Sequence, residues 1–185
     1  MPAGLYPRLL GSDWSRLDET VRRFHVESTS VQASGSFQIR HGNSMMAKWL
    51  LWLLGMPSAG EAVPAELVVC AREGGEIWRR TFAGRRLTTT QFPFAGDLLA
   101  ERLGAVELRF RLEVAAGALV YRQMTAALRI GPLTVPLPRW LRPQVDAREE
   151  PAQPPDQAHV IVQVLVPLVG LLIHYEGTIK REEAA

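Results

Sequence analysis

From residue 31 to residue 179 the chain keeps returning to a two-residue hydrophobic period, and glycine or proline repeatedly interrupts it. The clearest run is 106–114, where Val106, Leu108, Phe110, Leu112 and Val114 alternate with Glu107, Arg109, Arg111 and Glu113. Successive side chains of a strand point to opposite faces of a sheet, so this run is a strand with one apolar and one charged face. Val31, Ala33, Gly35, Phe37 and Ile39 alternate in the same way with Gln32, Ser34, Ser36, Gln38 and Arg40, up to a stop at His41 and Gly42. Segments 65–72 and 76–82 flank Gly74 and Gly75, whose freedom to take positive φ suits a tight hairpin. Runs at 86–92, 98–103, 119–130, 145–148, 160–166 and 171–179 bring the expectation to about ten short strands. Pro132, Pro136, Pro138 and Pro143 predict an irregular crossover around Trp140, and Pro151, Pro154 and Pro155 make 149–157 read as a solvent loop.

Helical spacing occurs in two places. Trp14, Leu17, Val21 and Phe24 predict a short amphipathic helix capped by Ser12 or Asp13, within a helical segment at 3–25. Met46, Trp49, Leu50 and Leu53 predict a second, capped by Asn43 or Ser44 and closed by Gly55 and Pro57. Apolar residues nearly encircle this second helix, so it is expected to be covered or to cap a cavity. The fold class that follows is mainly β (α+β): a lipocalin-like or fatty-acid-binding-protein-like antiparallel barrel, with two or three short helices and one of them across its mouth. A helix-grip-like open curved sheet is the alternative, weakened because the residues after 180 leave no room for a long closing helix.

At 185 residues the chain is sized for a single domain over 1–185, with a β-rich body at 30–180. Twenty-one Lys and Arg against 19 Asp and Glu leave +2, too little for the footprint of a nucleic-acid binder. A single cysteine, Cys70, permits no internal disulfide, and no ligand spacing or cofactor motif is found, so neither metal nor cofactor is expected. The amino terminus does not read as a secretory signal, and the apolar stretches at 45–54 and 160–173 fall short of the ~20 residues of a spanning helix. A cytoplasmic location is expected. Phosphate-loop, dinucleotide-binding, nucleophile-elbow and zinc-protease signatures are all missing from the sequence.

The candidate site residues are charges on faces that alternation marks as inward. Arg80 shares a face with Trp78 and Phe82, Glu101 lies between Leu99 and Leu103, and Arg122 lies between Val120 and Met124. Such charges are either paired with one another or meet a ligand. As a ligand site, Arg80 or Arg122 would clamp an anionic headgroup while Trp78, Phe82 and an inward Tyr175 cover its apolar tail. Glu101 and His174 are the candidate acid/base residues, since imidazole titrates near neutrality. Ile77 is the counter-signal, because it would put the opposite face of 76–82 inward.

In order along the chain, Leu5-Tyr6, Leu10-Gly11, Trp14 and His25 are followed by Gly55-Met56-Pro57, by Trp78-Arg79-Arg80-Thr81-Phe82 with Gly84, and by Glu101-Arg102-Leu103-Gly104. Pro136-Leu137-Pro138-Arg139-Trp140-Leu141, Pro167, Gly170 and Tyr175-Glu176-Gly177 complete the series. Over nearly its whole length the chain thus resembles the bacterial domain of unknown function family 4166 (DUF4166). The resemblance implies a bacterial protein of a family found alone or attached to dehydrogenase-like modules, and implies no reaction or catalytic residue. An unusually apolar 91–94 and a proline-rich 149–157 depart from the pattern.

Three functions follow as expectations. The leading one is a non-catalytic module binding a small apolar or amphipathic ligand in a barrel interior, which calls for a cavity of roughly a few hundred Å³. The second is an enzyme, or an accessory domain of a dehydrogenase-like partner, using Glu101 for proton transfer. The third is a protein-interaction domain presenting the helix at 44–54.

Overall fold

A computed structural model describes residues 4–25 and 30–182. Helix α1 (Leu5–Leu10), a 3-10 turn (Gly11–Arg16) and helix α2 (Glu19–Arg23) precede strand β1 (Ser30–His41) and helix α3 (Met45–Leu53). Ten strands follow: β2 (Gly60–Arg72), β3 (Gly75–Phe82), β4 (Arg85–Phe94), β5 (Leu98–Leu103), β6 (Val106–Ala115), β7 (Ala118–Ile130), β8 (Leu133–Pro136), β9 (Gln144–Pro151), β10 (Gln157–Val166) and β11 (Gly170–Arg181). Every pairing is antiparallel.

The order β6-β5-β4-β3-β2-β1-β11-β10-β9-β7 is closed by a β6–β7 pairing, so ten strands form a complete ring and leave no edge in it. The closed, lipocalin-like barrel expected from the period-two runs is the fold. β8 is the strand the prolines concealed: it pairs with the last residues of β7, Ala127–Ile130, while β9 pairs with Leu119–Arg122 on the same side. β8, 137–143 and β9 therefore act as one broken partner of β7, and the expected crossover survives only between them.

Because strands alternate in direction around the ring, their connections divide between two ends. Segments 42–59, 83–84, 104–105, 131–132 and 167–169 lie at the end that carries α3. The opposite end is closed by the N-terminal helices, with the backbone N–H of Asp18 donating to the Gly117 carbonyl at 2.9 Å and the Thr20 hydroxyl donating to the Pro155 carbonyl at 2.7 Å. The expected single helix through Trp14 and Phe24 is corrected to two helices and a 3-10 turn. Asp18, not Ser12 or Asp13, caps α2 by accepting from the Thr20 N–H, and Leu17, Val21 and Phe24 still fill the core while Trp14 is half-buried.

Ring closure between β1 and β11 depends on two glycines. A Cβ on Gly35 would lie 2.0 Å from the Thr178 carbonyl oxygen, and one on Gly177 would lie 2.1 Å from that of Ser36. Aromatic rings account for the apolar 91–94 segment: Phe94 lies 3.7 Å and Phe92 4.8 Å from the guanidinium carbons of Arg109 and Arg102. Those two arginines close over Glu107, whose carboxylate they hold at 2.7 and 2.9 Å.

Ser44 caps α3 as expected, accepting from the Ala47 N–H at 3.1 Å. The helix does not cross the mouth. It packs beside the start of β11, burying Ala47 and Leu51 and leaving Met45, Met46, Trp49, Trp52 and Leu53 exposed. No helix is long and apolar enough to cross a membrane among the described residues.

Candidate functional site

Inside the ring lies a cavity of about 150 Å³. This is smaller than the expected few hundred Å³, because aromatic side chains fill much of the interior. Phe37, Phe82 and Tyr175 meet with ring centroids 5.7 to 5.9 Å apart, two of the three contacts being edge-on. Leu87, Leu103, Leu108, Val145, Val164 and Met56 carry the lining toward the α3 end. Leu103, Leu108, Val145, Val164 and Met56 keep partial exposure, whereas Phe24, Trp78, Gln91, Tyr121 and Glu149 at the helical end are buried. Buried side chains thus close the helical end, and the cavity is more open toward the α3 end, with partly exposed lining also along β9 and β10 at Ala147, Arg148, Val160 and Val162.

Trp78, Arg80, Phe82, Glu101 and Tyr175 all line this cavity, so alternation placed five of the candidate residues correctly. The opposite face of β3 turns outward with the exposed Arg79. The Arg80 guanidinium lies 5.0 Å from the Trp78 ring, donates to the Thr89 hydroxyl at 3.0 Å, and approaches Glu101 Oε1 with two nitrogens at 3.3 and 3.4 Å. Burial works against that charge most strongly, but the Glu101 carboxylate together with the Tyr175, Tyr6 and Tyr121 phenols outweighs it and leaves the arginine's pKa raised. Burial likewise raises the Tyr175 phenol, and the neighbouring Arg80 charge only partly offsets it. An obligatory cation thus sits in an apolar cavity with long contacts to a single carboxylate oxygen, where a ligand anion can add to or replace them.

A second polar group forms the floor. His25 Nε2 and Glu149 Oε2 lie 2.7 Å apart, the Tyr121 hydroxyl donates to Glu149 Oε1 at 2.7 Å, and the Tyr6 hydroxyl donates to Gln91 Oε1 at 2.7 Å with Tyr121 3.1 Å away. Burial raises the Glu149 pKa, but the His25 charge and hydrogen bond, with the Tyr121 hydroxyl, outweigh it and leave the carboxyl low. Tyr121 and Tyr6 are pushed well above the usual phenol range, first by burial and then by Glu149 for Tyr121 and by Glu76 for Tyr6. Glu149 thus stays anionic and the two phenols stay protonated donors. The sequence reading missed this network: it put Glu149 in a solvent loop, whereas β9 runs to Pro151 and buries the residue to 8% exposure. The available signal was Val145, Ala147 and Glu149 at period two, obscured by the prolines that follow.

Two candidates fall outside the cavity. Arg122 is corrected from inward to outward: it is exposed and donates from Nε to Glu113 Oε2 at 3.1 Å. Met124 is an extra residue in β7, since Arg109 faces Thr125 while Phe110 faces Gln123, so alternation does not carry across it. Below that bulge the inward set is Leu119 and Tyr121. His174 points to the outer face, as alternation requires with Tyr175 inward, and lies 3.8 Å from Glu176; it is not brought to Glu101. Among the described residues no group of three His, Cys, Asp or Glu suits a metal ion.

The family model "Domain of unknown function (DUF4166)" matches residues 17–179. Among curated proteins none matches the chain. A solved structure of a protein of unknown function from the DUF3598 family of Nostoc punctiforme is similar at 12% identity and a TM-score of 0.38, over 83% of this chain and 46% of that one. The chain thus spans about half the length of the solved protein it matches.

Proposed function

Because the chain belongs to the DUF4166 family, and that membership specifies no reaction, we propose its function from the cavity: the barrel is a binding module for a small amphipathic anion. What carries this reading is Arg80, a permanent charge 18% exposed on the wall of a largely apolar cavity, stacked on Trp78 and within reach of the open end. The ligand's acidic group would take hydrogen bonds from Arg80 and Thr89, and its apolar body would lie against Phe82, Tyr175 and Leu103. A volume of about 150 Å³ limits that body to a single ring or a short chain, so a whole lipid tail does not fit. Calorimetric titration with benzoate and with hexanoate tests this. Binding of either that is lost in Arg80→Met and kept in Arg79→Met is expected; absence of binding, or equal binding by the two variants, overturns it.

A second reading has one specific observation in its favour, that Glu101 and Tyr175 line the same cavity. There the barrel would move a proton on a small bound ketone, alone or beside a dehydrogenase-like partner, with Glu101 as the base and the Tyr175 phenol as a donor. Exchange of α-deuterium from a small ketone, present in the wild type and lost in Glu101→Gln, would favour this over simple binding.

A further inference from the structure

The two ends of the barrel differ in kind. At the α3 end, Met45, Met46, Trp49, Trp52 and Leu53 face solvent from the helix, Met45 at 80% and Trp52 at 72% exposure. Beside them Leu168 stands 97% exposed at the tip of the β10–β11 turn, held at a positive φ of 66°. One contact joins that turn to the helix, the Ser44 N-cap hydroxyl donating to the Val169 carbonyl at 3.4 Å, and just before it the Gly42 N–H donates to the Leu172 carbonyl of β11 at 3.1 Å. From the same end the β7–β8 hairpin carries Ile130 and Leu133, 64% and 65% exposed.

Charge follows the same division. The segments that make up this end, 42–60, 82–86, 103–106, 128–133 and 165–171, contain Lys48, Arg85, Arg86 and Arg129 and not one Asp or Glu, although Glu61, bonded to Gln38, follows at the start of β2. The opposite end mixes the signs, with Asp13, Asp18, Glu19, Glu73, Asp97 and Asp156 among its turns and helices. A net charge of +2 therefore hides an end that is basic without acids in its segments.

We propose that the α3 end docks on an anionic lipid bilayer. The apolar side chains project from a helix, a turn and a hairpin, as separate points around one end, and they do not line a single groove that a peptide would fill. Trp and Met beside Lys and Arg suit the headgroup boundary, where apolar parts enter the acyl region and cations meet acidic headgroups. The lone helical turns of α3 are too short to span and need only lie in the plane of the surface. Docking would bring the open end of the cavity to the interface. The proposal does not depend on what the cavity binds.

Sedimentation with phosphatidylcholine vesicles, with and without phosphatidylglycerol, tests it on the intact chain. The wild type is expected to partition onto the anionic vesicles at least about tenfold more strongly, with the preference fading as salt rises. Trp49→Ser with Trp52→Ser should lower partitioning by roughly tenfold or more, and Arg85→Glu with Arg86→Glu should abolish the preference for anionic lipid. All four side chains are exposed, so an unchanged thermal melt is expected alongside. Arg80→Met should bind vesicles like the wild type, which separates this result from any failure of the ligand reading. Equal partitioning onto both vesicles, full retention by the tryptophan variant, or a vesicle-free dimer that the tryptophan variant dissolves would overturn the proposal, the last by showing a second copy as the occupant.

Discussion

Replacing Arg80 and Arg79 by alanine in turn separates a charge inside the barrel from one on its surface. Arg80→Ala removes the guanidinium that approaches Glu101 at 3.3 Å, with both side chains 18% exposed, together with the bond to Thr89 and the stack on Trp78. Breaking a buried pair costs ~3–5 kcal/mol because the surviving charge is left uncompensated, and the long contact and residual exposure put this pair near ~3. For a chain of this size ~1 kcal/mol moves the melting temperature by ~2–4 °C, so a drop of ~6–12 °C is expected. Arg79 is exposed, and its loss should stay within ~0.5 kcal/mol. If the penalty comes from the stranded carboxylate, Glu101→Gln should recover part of it, with a coupling energy of ~0.5–3 kcal/mol in the double-mutant cycle. Thermal melts of the two single arginine variants, Glu101→Gln and the double variant measure all of these. Equal, small losses for Arg79→Ala and Arg80→Ala, or strict additivity with Glu101→Gln, would refute the argument that Arg80 is an inward, paired charge.

Glu149 has a folded pKa below its unfolded one, so the stability it contributes is complete above the unfolded carboxylate range and is lost as pH falls through the folded pKa. Urea unfolding at neutral and acid pH should show Glu149→Gln less stable than the wild type at neutrality by ~1–3 kcal/mol, with the gap closing in acid; a constant gap would contradict this. Glu76 has the opposite sign: burial raises its pKa, only partly offset by the hydrogen bond from Trp78, so its charge opposes folding near neutrality. Glu76→Gln keeps an acceptor for Trp78 and should leave the melting temperature unchanged or raise it, and a clear fall would be the contrary result. Gly177→Ala forces a Cβ against the Ser36 carbonyl and the Phe37 ring, so β1 and β11 must part; a loss of ~1–3 kcal/mol in chemical denaturation is expected, and a neutral variant would show that the closure is loose.

The alternation of Val106–Val114 and Val31–Ile39 determined, without any tertiary information, that these segments are strands and which of their faces is core, because a strand's side chains have a strict period of two. The same rule placed Trp78, Arg80, Phe82, Glu101 and Tyr175 inside, and the resemblance in short motifs pointed to the family that the match over 17–179 establishes. Arg122 went the other way because one extra residue, Met124, sits in β7, and a bulge leaves no mark in a stretch where both faces are apolar. Ring closure through β6 and β7 is likewise a long-range pairing whose partners no local pattern names. The floor of the cavity was least accessible of all: Tyr6 and His25 come from the N-terminal segment, Gln91 from β4, Tyr121 from β7 and Glu149 from β9. Each of those side chains has an ordinary sequence neighbourhood. They acquire a common chemistry only because the N-terminal helices close one end of the barrel and bury a carboxylate, an imidazole and two phenols where they must satisfy one another.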